Sequence, residues 1–116
     1  MGSSVILFGW NRSVPGREKV SGAHFDDFVK YLGELQQAGT IQAFDVIFLD
    51  AHGGDLNGFA LIRGDSGKLD ALVSTTEWIT HSTRASLHLD GLGIIRGVTG
   101  EEIMTRMSIW MGAIPS

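Results

Sequence analysis

Apolar positions in this chain repeat with two different periods, and the switches between them divide it into elements. Val5, Ile6, Leu7 and Phe8 are apolar at consecutive positions, so the first predicted strand, Ser4 to Arg12, is one covered on both faces. Pro15-Gly16 then breaks the chain. From Arg17 to Ala38 the period lengthens. Phe25, Phe28, Val29, Leu32 and Leu35 form one helical stripe, with Asp26, Asp27, Lys30, Glu34 and Gln37 on the other side. Gly39 stands where this helix must stop, because a residue without Cβ takes the left-handed cap conformation at little cost. Ile41 to Ala51 reads as a second strand, with Phe44, Val46 and Phe48 on one parity and Ile47 and Leu49 on the other. The turn-forming run HGGDLNG, His52 to Gly58, separates it from a third strand, Phe59 to Arg63, which is a hairpin signal. Asp65 or Ser66 can cap a second helix with Leu69, Leu72 and Val73 inward; it breaks near Ser74-Thr75-Thr76 and restarts from Glu77 to about Leu87. Leu89 to Val98 is the fourth strand. Thr99 and Glu102 have capping-box spacing before a last helix, Gly100 to Met111.

This order, β-α-β-β-α-β plus a tail helix, predicts an α+β fold: a ferredoxin-like, four-stranded antiparallel sheet with helices on one side, as a single domain over residues 1–116. Helices cover only one face, yet the first two strands are apolar on both. A second copy of the sheet is the simplest cover, which predicts a homodimer with a closed sheet-on-sheet core, a dimeric α/β barrel.

Composition narrows the function classes. The chain has 116 residues, 43% hydrophobic and 19% charged, with a formal charge of −4 and no cysteine; its mean hydropathy is +0.12. Scattered basic residues under a net negative charge argue against a nucleic-acid surface. The absence of cysteine removes thiolate nucleophiles, disulfides and cysteine metal sites. No apolar run approaches the ~20 residues that span a bilayer, and the N-terminus lacks the pattern of a signal peptide. Met1-Gly2 is followed by Ile6 where N-myristoylation wants Ser or Thr. The expected setting is the cytoplasm of a bacterial-type cell, without nucleic-acid or membrane partners.

Phe28, Tyr31, Leu32, Leu35, Gly39 and Ile41 match a helix-end pattern of the type xxYLxxLxxxGxI. In this the chain resembles the dimeric α/β-barrel superfamily, and within it the small YCII-like and DGPF-like bacterial proteins; element order extends the likeness over most of the chain. YCII-like proteins carry a helix histidine eleven residues before the glycine, acting with an acidic residue; here that position is Phe28, and His24 lies one turn earlier near the same face. Where the family has an Asp-Pro-aromatic element, this chain has Thr76-Glu77-Trp78. The HGGDLNG hairpin also resembles one in a group of uncharacterised bacterial proteins.

Candidate chemistry collects at strand ends. His52 with Asp50, followed by Asp55 and Asn57, is either a polar cluster at a pocket mouth with His52 as general base, or a hairpin whose side chains bond local backbone. Trp10 and Arg12 end the first strand, Arg63 the third and Arg96 the fourth. Arg12 and Arg63, on the central strands, are read as neighbours that would hold a carboxylate or phosphate, or else as rim partners of Asp45, Asp50 or Asp90. His24, His52, His81 and His88 make no ligand spacing, so no metal is expected, nor any other cofactor. Trp78 and Trp110 suit core or dimer anchors, and Met104, Met107 and Met111 a packing stripe. The expected function is binding of a small molecule or an accessory role, with His52 and His24 as catalytic candidates and Asp50, Arg12, Arg63 and Trp10 as ligand contacts. The alternative is a cofactor-independent enzyme acting on a small organic acid or lactone by proton transfer.

Overall fold

The computed structural model describes residues 3–116; Met1-Gly2, considered above for acylation, lies outside them. Strand β1 (Ser3–Trp10) pairs antiparallel on one side with β4 (Gly58–Asp65) and on the other with β6 (Gly93–Val98). β3 (Ala43–Phe48) completes a four-stranded sheet in the order β3-β4-β1-β6. Helix α1 (Glu18–Gln37) crosses from β1 to β3, and α2 (Ser66–Leu72) and α3 (Thr76–His88) cross from β4 to β6. The topology is ferredoxin-like.

Alternation on the strands sorts the two faces. Ile6 and Phe8 of β1 and Ala60 and Ile62 of β4 are buried under the helices against Phe28, Tyr31, Leu32, Leu69, Leu72, Trp78 and Ala85. Phe8 lies 4.5 Å from Phe28 between ring centroids and meets Trp78 edge-on at 6.0 Å. Ile6, Leu32, Ile41, Ile62 and Leu69 are wholly buried, each contributing about 2 kcal/mol or more by removal from water. Val5, Leu7, Phe59, Leu61, Ile47 and Ile95 take the other parity, and on that face Ile47 and Ile95 are exposed. The parity left open by the sequence is thereby settled: Val46 and Phe48 belong to the helix side.

Helix α1 ends as its sequence requires. Gly39 has φ +77°, its N–H donates to the Gln36 carbonyl at 3.1 Å, and the Thr40 N–H donates to the Leu35 carbonyl at 2.9 Å, the paired bonds of a Schellman cap. Asp65 caps α2 at the Lys68 N–H and Thr75 caps α3 at the Trp78 N–H.

Three expectations are corrected. The second strand spans Ala43–Phe48, shorter than Ile41 to Ala51, and the third is longer, Gly58–Asp65. The first and fourth strands are each broken: Arg12–Ser13 (β2) and Leu89–Asp90 (β5) pair with each other as a separate ribbon. The break follows from Gly91, whose φ of +67° turns the chain and whose missing Cβ leaves room for the Asn11 Cβ, 2.9 Å from where that atom would stand. Finally, the Thr99–Glu102 capping box does not form; the N-cap of α4 (Glu101–Ala113) is Gly100, without a side-chain cap bond. None of the described residues of α4 is buried, and Ile103, Met104, Met107, Ile109, Trp110 and Met111 are all exposed. The radius of gyration, 16.1 Å, exceeds the roughly 13 Å expected of a compact chain this long.

Candidate functional site

Ser21, His24 and Phe28 are three, then four, residues apart on α1, so they share one face. His81 and His88 lie two turns apart on α3, which packs against α1. The crossing brings three histidines and a serine into one line. Ser21 Oγ is 2.7 Å from His88 Nδ1, His88 Nε2 is 2.8 Å from His24 Nδ1, and His24 Nε2 is 3.0 Å from His81 Nδ1. Beyond Ser21 the line continues to Ser13 Oγ at 2.8 Å. His24 and His81 have nearly parallel rings, 5° apart, with centroids separated by 5.3 Å. With their nitrogens at 3.0 Å, that separation is the nitrogen distance plus two ring radii. The rings therefore lie side by side in one plane, joined by an in-line N–H···N bond, and are not stacked face to face. His81 does stack on Tyr31, at 4.4 Å.

His24 and His88 are each 3% exposed, yet no buried side-chain nitrogen or oxygen among the described residues lacks a partner. Burial, then the positive charge of Arg84 and the neighbouring histidines, lowers His24 from 6.5 to about 4 against a smaller pull from Asp27. Burial and Arg84 lower His81, opposed by Asp27 and Glu77. His88 is lowered by burial and Arg84, and further by Arg17. Arg84 itself is tied to Asp27 across the two helices at 2.9 Å. The rings are neutral at pH 7. Their nitrogens pair off with one another, and no group of histidine and acidic side chains among the described residues is arranged to hold a metal ion.

This line forms one wall of a cavity of about 280 Å³ between α1, the helix side of the sheet and the β2–β5 ribbon. Ser21, His24 and His88 are its polar residues; Phe8, Trp10, Phe25, Phe28 and Phe48 supply an aromatic lining. Trp10 meets Phe48 edge-on at 6.4 Å, and Phe25 packs on Phe48 at 5.5 Å.

Of the residues proposed from sequence, His24 and Trp10 line the cavity. His52 is exposed on the hairpin, its Nδ1–H donating to the Asp50 carbonyl at 2.9 Å and its ring lying over Gly54. Asp50 is exposed beside it. Arg12 pairs with Asp90 at 3.6 Å and Arg63 with Asp45 at 3.0 Å, both as rim ion pairs. The expected closeness of Arg12 and Arg63 does not occur. Arg63 stands opposite Val5, about 20 Å of strand away from Arg12, because antiparallel pairing puts the end of β4 beside the start of β1. None of Asp50, His52, Arg12 and Arg63 lines this cavity or a second, shallower one of about 410 Å³ between Gly39, Gly64 and Lys68. Ser21, His81 and His88 were not singled out as a site; the signal was the shared helical face of Ser21 and His24, invisible until α3 is docked.

No protein-family model matches the chain, and no curated protein matches it in sequence. Similar solved structures share its fold. A dimeric protein of unknown function and ferredoxin-like fold from Bacteroides fragilis aligns with TM-score 0.63 at 8% identity, over 85% of this chain and 98% of that one. An ethyl tert-butyl ether d (EthD) family protein from Bacillus halodurans aligns with TM-score 0.59 at 13% identity, over 86% and 100%. SnoaB, a cofactor-independent oxygenase from Streptomyces nogalater, aligns with TM-score 0.54 at 10% identity, over 86% and 93%. These likenesses establish a ferredoxin-like α+β fold.

Proposed function

We propose that this chain is a small-molecule-binding protein of the dimeric ferredoxin-like type, whose cavity takes a compact aromatic molecule carrying a hydroxyl group. One observation carries this reading: five aromatic side chains, the outermost of them the largely exposed Phe48, line an open cavity of about 280 Å³ and face a single polar wall, the arrangement that binds by apolar burial and orients by a few polar contacts. Ser21 Oγ has one donor and two acceptor positions; it bonds Ser13 Oγ at 2.8 Å and His88 Nδ1 at 2.7 Å and makes only a long 3.4 Å approach to the His88 carbonyl, so an acceptor position stays open to a ligand. The test is calorimetric titration with 2-naphthol and 2-methoxynaphthalene. Saturable binding of both, tighter for the naphthol and weakened for it by Ser21→Ala, is the expected outcome; no saturable binding of either would overturn the reading.

Assembly as a homodimer is part of the same proposal. The open sheet face carries exposed Ile47 and Ile95, and α4 projects an apolar surface that none of the described residues covers. The Bacteroides protein of the same fold is dimeric. The YCII-like kinship belongs here too, supported by His24, which reaches the cavity wall one turn before Phe28. A bacterial cytoplasm remains the setting; among the described residues no helix is long and apolar enough to cross a membrane.

A second reading, a cofactor-independent enzyme working by proton transfer on a small organic acid or lactone, is favoured by the Ser21–His88–His24–His81 line. A cofactor-independent oxygenase is built on this fold.

A further inference from the structure

The hydrogen-bonded line has a property that its members lack singly. In three neutral imidazoles each ring has one N–H and one bare nitrogen, and the bonds here join Nδ1 of one ring to Nε2 of the next. Two arrangements satisfy every link. With all protons on Nε2, Ser21 donates to His88, His88 to His24, His24 to His81, and His81 Nε2–H points on. With all protons on Nδ1, every donor is reversed, Ser21 donates to Ser13, and His81 Nε2 is bare. Passing between the arrangements moves one proton's worth of charge from end to end.

The two ends lie in different surroundings. Ser21 lines the cavity. His81 does not; it is half-buried at the α1–α3 surface, and its Nε2 has no partner among the described residues. We propose that Ser21, His88, His24 and His81 form a proton relay between the cavity and the outer surface of the α1–α3 pair, serving a bound weak acid such as a phenol or enol. This rests on the cavity-binding reading above.

The transfer balances. The ligand O–H bond breaks and its proton bonds to Ser21 Oγ, while the Ser21 proton passes to His88 Nδ1. The His88 Nε2 proton moves to His24 Nδ1, the His24 Nε2 proton to His81 Nδ1, and the His81 Nε2 proton leaves to water. The ligand is left as its oxyanion, no ring keeps a charge, and the line is left in its reversed arrangement. A proton entering at His81 resets it. Such a device suits chemistry that removes a proton and later returns one, as in enolisation.

The surrounding charges favour transit over storage. Arg84 on α3 and Arg17 before α1 oppose a resting positive charge, while Asp27 on α1 and Glu77 on α3 lie toward the His81 end, where the proton leaves. Adjacent rings cannot both be protonated without setting two N–H groups against each other, so the line accommodates at most one extra proton.

Two measurements test the relay, one with a probe and one without. 2-Naphthol becomes a strong acid on excitation and emits from its anion only when the proton has somewhere to go within the excited-state lifetime. Bound 2-naphthol should show the anion band with the unaltered protein. The anion-to-neutral ratio should fall severalfold in His88→Gln, which can bond Ser21 but cannot pass a proton, and in His81→Phe, which keeps the stack on Tyr31. His81→Phe should bind 2-methoxynaphthalene as the unaltered protein does. A wild-type ratio in both variants would overturn the relay while leaving the binding reading intact. Without a probe, long-range ¹H–¹⁵N spectra of the free protein should show all three rings averaging between tautomers, and His81→Phe should displace the His88 nitrogens, two links away. Rings each fixed in one tautomer and indifferent to that substitution would overturn the relay even if neither naphthalene binds.

Discussion

Burial of the histidine line should make the fold sensitive to mild acid. His24 titrates at about 4 in the fold against 6.5 when unperturbed. The unfolded chain therefore binds the proton more tightly, and protonation pulls the equilibrium toward unfolding. The stabilisation is fully present above pH 6.5, falls as pH drops below that value, and stops falling once pH passes below about 4. From the two values, the loss between pH 7.5 and pH 5 is about 2 kcal/mol, rising to about 3 kcal/mol by pH 4. His81 and His88 are shifted in the same direction and add to it. Asp27, held below 3.8 chiefly by the hydrogen bond from Arg84, titrates beneath this window. Since domains of this kind are stable by only about 5–15 kcal/mol, the effect is large enough to measure. Urea unfolding at pH 7.5 and pH 5, followed by far-UV circular dichroism at equal protein concentration, should show the midpoint drop with little change in slope. His24→Leu should flatten much of that dependence, because an apolar side chain has no proton to gain. An unfolding free energy equal at the two pH values in the unaltered protein, or an undiminished difference in His24→Leu, would refute the assignment.

Gly39→Ala should cost about 1 kcal/mol in the same urea assay: nothing stands within 4 Å of the added Cβ, so the cost is the φ of +77° alone. A neutral effect would mean the cap is not left-handed in solution. Gly58→Ala would place a Cβ 2.7 Å from the Trp10 ring, so it should displace Trp10, alter its emission and weaken 2-naphthol binding. Gly22 borders the cavity with open space around it; Gly22→Leu should raise stability by about 1 kcal/mol through helix propensity while lowering naphthol affinity. Ile95→Asp should shift the sedimentation coefficient from dimer toward monomer, whereas Val46→Asp, on the helix side, should lower the urea midpoint; the reverse pattern would misassign the sheet faces.

Element order was legible because each element carries its own period and its own punctuation. The α1 stripe ends at Gly39, Asp65 and Thr75 cap the crossover helices, and the turn residues from His52 to Gly58 separate β3 from β4. The break of the first and fourth strands was not, since it depends on Gly91 and Asn11, far apart in sequence, meeting in the fold. The site was legible in part. His24 sits beside the apolar stripe that the helical period identifies on α1, and Trp10 at the end of a strand whose apolar run gives no inward face, while His81 and His88 were read one at a time along α3. Their meaning comes from bonds to α1 residues 57 and 64 positions away. His52 drew attention through its polar neighbours, yet a hairpin tip satisfies such residues locally, as the bond to the Asp50 carbonyl shows.

The histidine line is hard to explain as a device for stability. Beside it, Phe8, Phe28 and Trp78 pack as an apolar cluster that gains by burial alone. A line of three imidazoles must instead recover the hydration of five ring nitrogens through hydrogen bonds, for a net gain of only about 1 kcal/mol each, and it forfeits stability whenever pH falls. Apolar side chains of similar volume would fill the same space at lower cost. The line, running from an aromatic cavity to the outer face of a helix pair, is better accounted for by the proposed relay than by stability alone.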